Sequence, residues 1–204
     1  MLLKTPKRLV DILFPDRFLG EMRTPAPAEC LRVARALLKL SQHDVAAGAE
    51  ITRRSLAAAE SNKPVFPDTN LQLVDFYVAR GIEFLGETKI GRETLRAGAR
   101  WAAPNDPQAS QETKSSFRAE DQPLSFRAAR ALLEKEQADI AMEVGLPLAT
   151  IQSLERGRKT ADAYEKVHRW FEKAGVEFTG WGDVVTGKYY GVGVRWKTSH
   201  NEQE

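Results

Sequence analysis

Arg32-Val33-Ala34-Arg35-Ala36-Leu37-Leu38 and Arg127-Ala128-Ala129-Arg130-Ala131-Leu132-Leu133 are near-copies of one heptapeptide, 95 positions apart. The same offset carries Gln42 onto Gln137, Ala46 onto Ala141, Glu60 onto Glu155 and Trp101 onto Trp196. An offset of 94 carries Gly81-Ile82-Glu83-Phe84 onto Gly175-Val176-Glu177-Phe178. Solenoid units run to about 20–50 residues, so a longer period reads as duplication of a whole domain. The repeat divides the 204 residues into an N-terminal arm (1–29), a first domain (30–101), a flexible linker (102–124), a second domain (125–197) and a disordered tail (198–204).

Composition narrows the class. The net charge is only +2, which argues against indiscriminate polyanion binding. Residues 30–101 hold 11 Lys/Arg against 8 Asp/Glu, whereas residues 125–204 hold 12 of each. The first copy is therefore the better anion binder. Cys30 is the only cysteine, and His43, His168 and His200 have no metal-ligand spacing, so neither a disulfide nor a metal site is expected. The opening residues lack the apolar run of a signal peptide, and no stretch approaches the roughly 18 apolar residues of a membrane span. A cytoplasmic, nucleoid-associated protein is the expectation. No paired carboxylates, nucleophile–base set or Gly-rich phosphate loop appears, so neither an enzyme nor a cofactor is expected.

Each copy reads as helical first and strand-like last. Leu31, Ala34, Leu37 and Leu38 recur at helical spacing over 28–40. Ser41 with Asp44 three residues on marks the start of a short helix to about Ala49, and Thr52 caps another to about Ser61. Asp68 or Thr69 opens a fourth helix, which Gly81 stops. Residues 82–84 and 99–101 read as a hairpin. The second copy repeats the plan with helices over 125–135, 137–144, 148–156 and 161–174, and strands over 176–178 and 192–196.

Two short helices joined by a tight turn persist only when they pack steeply on a shared core, which is the helix-turn-helix arrangement. Residues 137–157 spell it clearly: Ala141 allows close approach, Gly145 suits a positive-φ turn, and Ile140, Val144, Leu146, Ile151 and Leu154 supply the core. Glu50 replaces that glycine in the first copy, which strains the turn or shifts it toward Gly48. Pro147 replaces a capping Ser or Thr in the second.

On these residues the chain resembles the Cro/CI-repressor-like (XRE-type) helix-turn-helix family over 28–80 and 125–174. The resemblance implies a mainly α protein: two lambda-repressor-like four-helix domains, each followed by a short C-terminal β-hairpin. It implies phosphate contacts from Gln42 and Gln137, and structural ion pairs Arg35–Glu60 and Arg130–Glu155. Base readers would come from the third helix of each copy: Thr52, Arg53, Arg54, Ala57 and Ala58 in the first, and Leu148, Ala149, Gln152 and Ser153 in the second. Ser61, Asn62 and Lys63 would contact the DNA backbone in the first copy, and Arg156, Arg158 and Lys159 in the second. Arginine reads guanine best because its planar fork meets O6 and N7 together.

The expected function is a sequence-specific DNA-binding transcriptional regulator, a repressor or autoregulator, reading adjacent half-sites in a double-stranded operator. A free linker of this length has an r.m.s. reach of roughly 25 Å, against about 34–36 Å between half-site centres. A homodimer through the N-terminal arm or a β-hairpin edge is a possible assembly. The alternative is a protein-interaction regulator, antiactivator- or antitoxin-like, whose near-neutral second copy binds protein rather than DNA.

Overall fold

The computed structural model describes residues 24–61, 63–87, 94–158 and 161–197. In the first half lie α1 (Ala28–Leu38), α2 (Gln42–Gly48), α3 (Arg53–Glu60), α4 (Pro67–Val78), β1 (Ile82–Glu87) and β2 (Leu95–Trp101). A short α5 (Gln111–Ser115) follows. The second half holds α6 (Phe126–Leu132), α7 (Gln137–Val144), α8 (Leu148–Glu155), α9 (Ala161–Lys173), β3 (Val176–Gly182) and β4 (Tyr189–Trp196).

Local chemistry sets the helix ends. The Ser41 side chain accepts from the Asp44 N–H while Asp44 accepts from the Ser41 N–H, which starts α2. Thr52 Oγ1 accepts from the Ser55 N–H at 3.0 Å and starts α3. Gly145 ends α7 in the left-handed region, at φ +68. Pro147 starts α8 with no side-chain cap.

The expected architecture of two four-helix domains, each closed by its own hairpin, is corrected by the sheet. The fold is α+β. Both halves contribute to one four-stranded antiparallel sheet in the order β1-β2-β4-β3. Within the halves, β1 pairs β2 and β3 pairs β4. Across them β2 pairs β4, through Gly98 with Arg195, Ala99 with Val194 and Arg100 with Gly193. The physical reason is that a lone hairpin exposes an unpaired edge, and each hairpin satisfies its inner edge with the other. Glycine makes the approach possible. A Cβ on Gly98 would lie 2.1 Å from the Val194 carbonyl oxygen, and one on Gly193 would lie 2.3 Å from that of Ala99. One edge of each hairpin is thus occupied within the chain, leaving β1 and β3 outermost.

The helices meet across the same line. α1 packs on α6, where Val33, Ala34, Ala128 and Ala129 are all fully buried; small side chains set a short distance between helix axes. A single buried cluster runs from Leu31, Leu56 and Tyr77 through Ala99 and Val194 to Leu132, Ile140 and Phe171.

The polar stretch 102–124 runs along the second half. Ala102, Ala103 and Pro104 are buried. Lys114 of α5 reaches Asp183 at 2.9 Å, with both side chains almost completely covered. Glu120 pairs with Tyr189 as an isolated antiparallel bridge, and the Arg118 guanidinium lies 4.2 Å from the Trp101 ring centroid. Most of the N-terminal arm (1–23) and the tail (198–204) lie outside the described residues.

Candidate nucleic-acid interface

Each half carries the same three-residue network. Arg35 Nε donates to Glu60 Oε1 at 2.5 Å and its Nη2 donates to Oε2 at 2.9 Å. Gln42 Nε2 donates to the same Oε2 at 2.8 Å. In the second half, Arg130 Nε and Nη2 donate to Glu155 at 2.6 and 3.3 Å, and Gln137 Nε2 donates to Glu155 Oε2 at 2.7 Å. The two glutamate side chains are 4% and 2% exposed. A carboxylate this buried needs partners for its lone pairs, and the arginine fork with the glutamine amide provides them. For Arg35, burial opposes the charged form, but the Glu60 hydrogen bond and charge outweigh it and raise the pKa. The network ties the start of the second helix to the end of the third, fixing the angle between them. Each glutamine amide retains a second N–H for another acceptor.

The remaining first-half positions lie along and just beyond α3. Thr52, Arg53, Arg54, Ser61 and Lys63 are exposed, and Ala57 and Ala58 are half-buried. Asn62 lies outside the described residues. Thr52 Oγ1 also shares a 2.8 Å hydrogen bond with Ser55 Oγ, so its oxygen is engaged in capping. Arg53 and Arg54 have no carboxylate partner among the described residues.

The second half presents other chemistry from the same place. Leu148 and Ala149 are exposed, Gln152 and Ser153 are half-buried, and Arg156 and Arg158 are exposed beyond the helix. Lys159 lies outside the described residues. Met142 and Leu148 are 77% and 42% exposed, where the first half has Ala47 and Arg53.

Sequence reasoning missed what only the two halves together build. A cleft of about 300 Å³ lies between the networks, lined by Arg32, Arg35, Gln42, Arg127, Arg130 and Lys135 among others. Arg32 bridges it: its Nε donates to the Ala131 carbonyl at 3.1 Å, its Nη1 donates to the Glu60 carbonyl, and the same Nη1 lies 3.5 Å from the Glu134 carboxylate. Its counterpart Arg127 lies 3.9 Å from Glu155. The signal was present, since both arginines open the repeated heptapeptide. Cys30 takes no part in the interface: it is buried in the core, and burial pushes its thiol up to about 12.

Among the described residues no group of three or more His, Cys, Asp or Glu is placed to hold a metal ion. No described helix is long and apolar enough to cross a membrane. No family model, curated protein or solved structure matches the chain.

Proposed function

We propose that this chain is a sequence-specific regulator of transcription that binds double-stranded DNA, acting in the cytoplasm on the nucleoid as a repressor or autoregulator. The observation that carries the reading is the exposed Thr52-Arg53-Arg54 start of α3, set at a fixed angle by the Arg35–Glu60–Gln42 network. A helix start offers unpaired N–H groups and a partial positive charge. Anionic phosphate is the matching ligand, and the two arginines supply forks for guanine O6 and N7. Ala57 and Ala58 suit thymine methyl groups. Gln42, Gln137, Ser61, Lys63, Arg156 and Arg158 suit phosphates, which position the protein without reading sequence. Occupying an operator would exclude polymerase sterically.

The test is the salt dependence of binding to a selected duplex. Contacts to several phosphates make log K fall linearly with log salt, by about 0.9 per phosphate contact. An affinity indifferent to salt, or the absence of any preference among duplexes, would sink the reading. One observation favours a second reading, a protein-interaction regulator of antiactivator or antitoxin type: the exposed Met142 and Leu148 on the second half. Binding to a protein partner that survives high salt and is lost in Leu148→Asp would mark that role.

A further inference from the structure

We infer that one chain, as a monomer, takes an inverted pair of unequal DNA half-sites at a single fixed spacing; this rests on the DNA-binding reading above. The first ground is the register of the central strands. Shifting Gly98–Arg195, Ala99–Val194 and Arg100–Gly193 by the repeat offset returns the same three pairs with their partners exchanged. Such a pattern arises only when the halves are related by a two-fold rotation passing between Ala99 and Val194. It is the self-complementary contact of a symmetric dimer, made here inside one chain. α1 on α6 repeats it, with Val33 and Ala34 matched by Ala128 and Ala129.

The second ground is rigidity. The β2–β4 approach tolerates no Cβ at Gly98 or Gly193, and the connecting stretch is held by Lys114 on Asp183 and by the Glu120–Tyr189 bridge. Heads on a loose tether would accept direct or inverted half-sites at many spacings. Heads fixed about a two-fold axis meet the two DNA strands in opposite senses, so the half-sites are inverted and their separation is set by the protein.

The third ground is unequal chemistry. Thr52, Arg53 and Arg54 correspond to Pro147, Leu148 and Ala149. The first half therefore reads a guanine-bearing half-site, and the second reads one through methyl contacts and Gln152.

The experiment is selection from a random duplex pool with the full chain. Binding to the winning duplex is then measured with one half-site reversed, and with about five or about ten base pairs inserted at its centre. Native mass spectrometry gives the stoichiometry. The inference expects an imperfect inverted repeat and one chain per duplex. It expects losses of roughly 100-fold for the reversal and for both insertions, because each destroys the base contacts of one half-site. Enrichment of direct repeats, tolerance of either insertion, or two chains per duplex overturns this inference while leaving DNA binding intact. Failure to enrich any sequence overturns the DNA-binding reading itself, and the inference with it.

Discussion

Position for position, the turn before α3 and the turn before α8 follow one backbone path with different side chains. Glu50 has φ +56 and Gly145 has φ +68. A residue with a Cβ in that region costs about 1–2 kcal/mol that glycine does not incur. Further left-handed positions match across the halves: Lys39 (φ +58) with Glu134 (φ +54), and Arg96 (φ +53) with Gly191 (φ +65). The comparison teaches that the framework holds the turn. Where the Arg–Glu–Gln network and the helix core agree in both halves, the residue in the turn is free to vary. Conversely, what the outer face of each third helix presents has diverged, from arginines to Leu148 and Ala149.

The strongest way to break the comparison is at the axis. Gly98→Val and Gly193→Val each drive a side chain into backbone oxygen that has nowhere to go. Each is expected to cost about 3 kcal/mol or more, to a similar extent, as measured by chemical denaturation. A loss at one site alone would mean that the halves do not share the contact equally. Next come the exposed faces. Arg53→Ala or Arg54→Ala is expected to weaken binding to the selected duplex by roughly 5- to 150-fold, the equivalent of about 1–3 kcal/mol. Leu148→Ala is expected to change it by less than about 5-fold. Equal effects, read by titration at one salt concentration, would erase the division of labour between the halves.

The turns sharpen the comparison further. Gly145→Glu is expected to cost about 1 kcal/mol. Glu50→Gly is expected to gain about 0.5–1 kcal/mol, since relief of strain is partly offset by the freer unfolded chain. The last effect is a dependence on pH. Hydrogen bonds from Thr186 and Lys114 hold the Asp183 carboxyl well below the usual range. Its contribution to stability is therefore complete above an ordinary aspartate pKa of about 3.9 and fades as pH falls toward the depressed folded value. Stability curves of wild type and Asp183→Asn should run parallel from neutral pH to about 5 and converge below about 4. In the sequence, Thr88 and Lys89 stand at the corresponding first-half positions.

Features made by neighbours in the chain were legible in the sequence. The Ser41–Asp44 box, the Thr52 cap, the Gly145 turn and the unusual turn at Glu50 each depend on residues within about four positions. The Arg35–Glu60 and Arg130–Glu155 pairs were legible through the family likeness. The joint sheet was not, since an exposed hairpin edge has the same residues whether or not it finds a partner. The clue was glycine in mid-strand at equivalent places, Gly98 and Gly193, which marks close backbone approach. Lys114 and Asp183 were out of reach for a related reason: nothing local in a polar, proline-containing stretch says which distant carboxylate will bury its lysine.

Cross-linking residues 99 and 194 tests the two-fold axis most directly. These two are partners in the β2–β4 register. Directly opposed antiparallel residues have Cα atoms about 4.5–5.5 Å apart, within the span of a disulfide. In a Cys30→Ala background, Ala99→Cys with Val194→Cys should oxidise to an intramolecular disulfide in a chain that remains monomeric by mass. A pair of thiols that stays reduced, or a disulfide that joins two chains, would contradict the account.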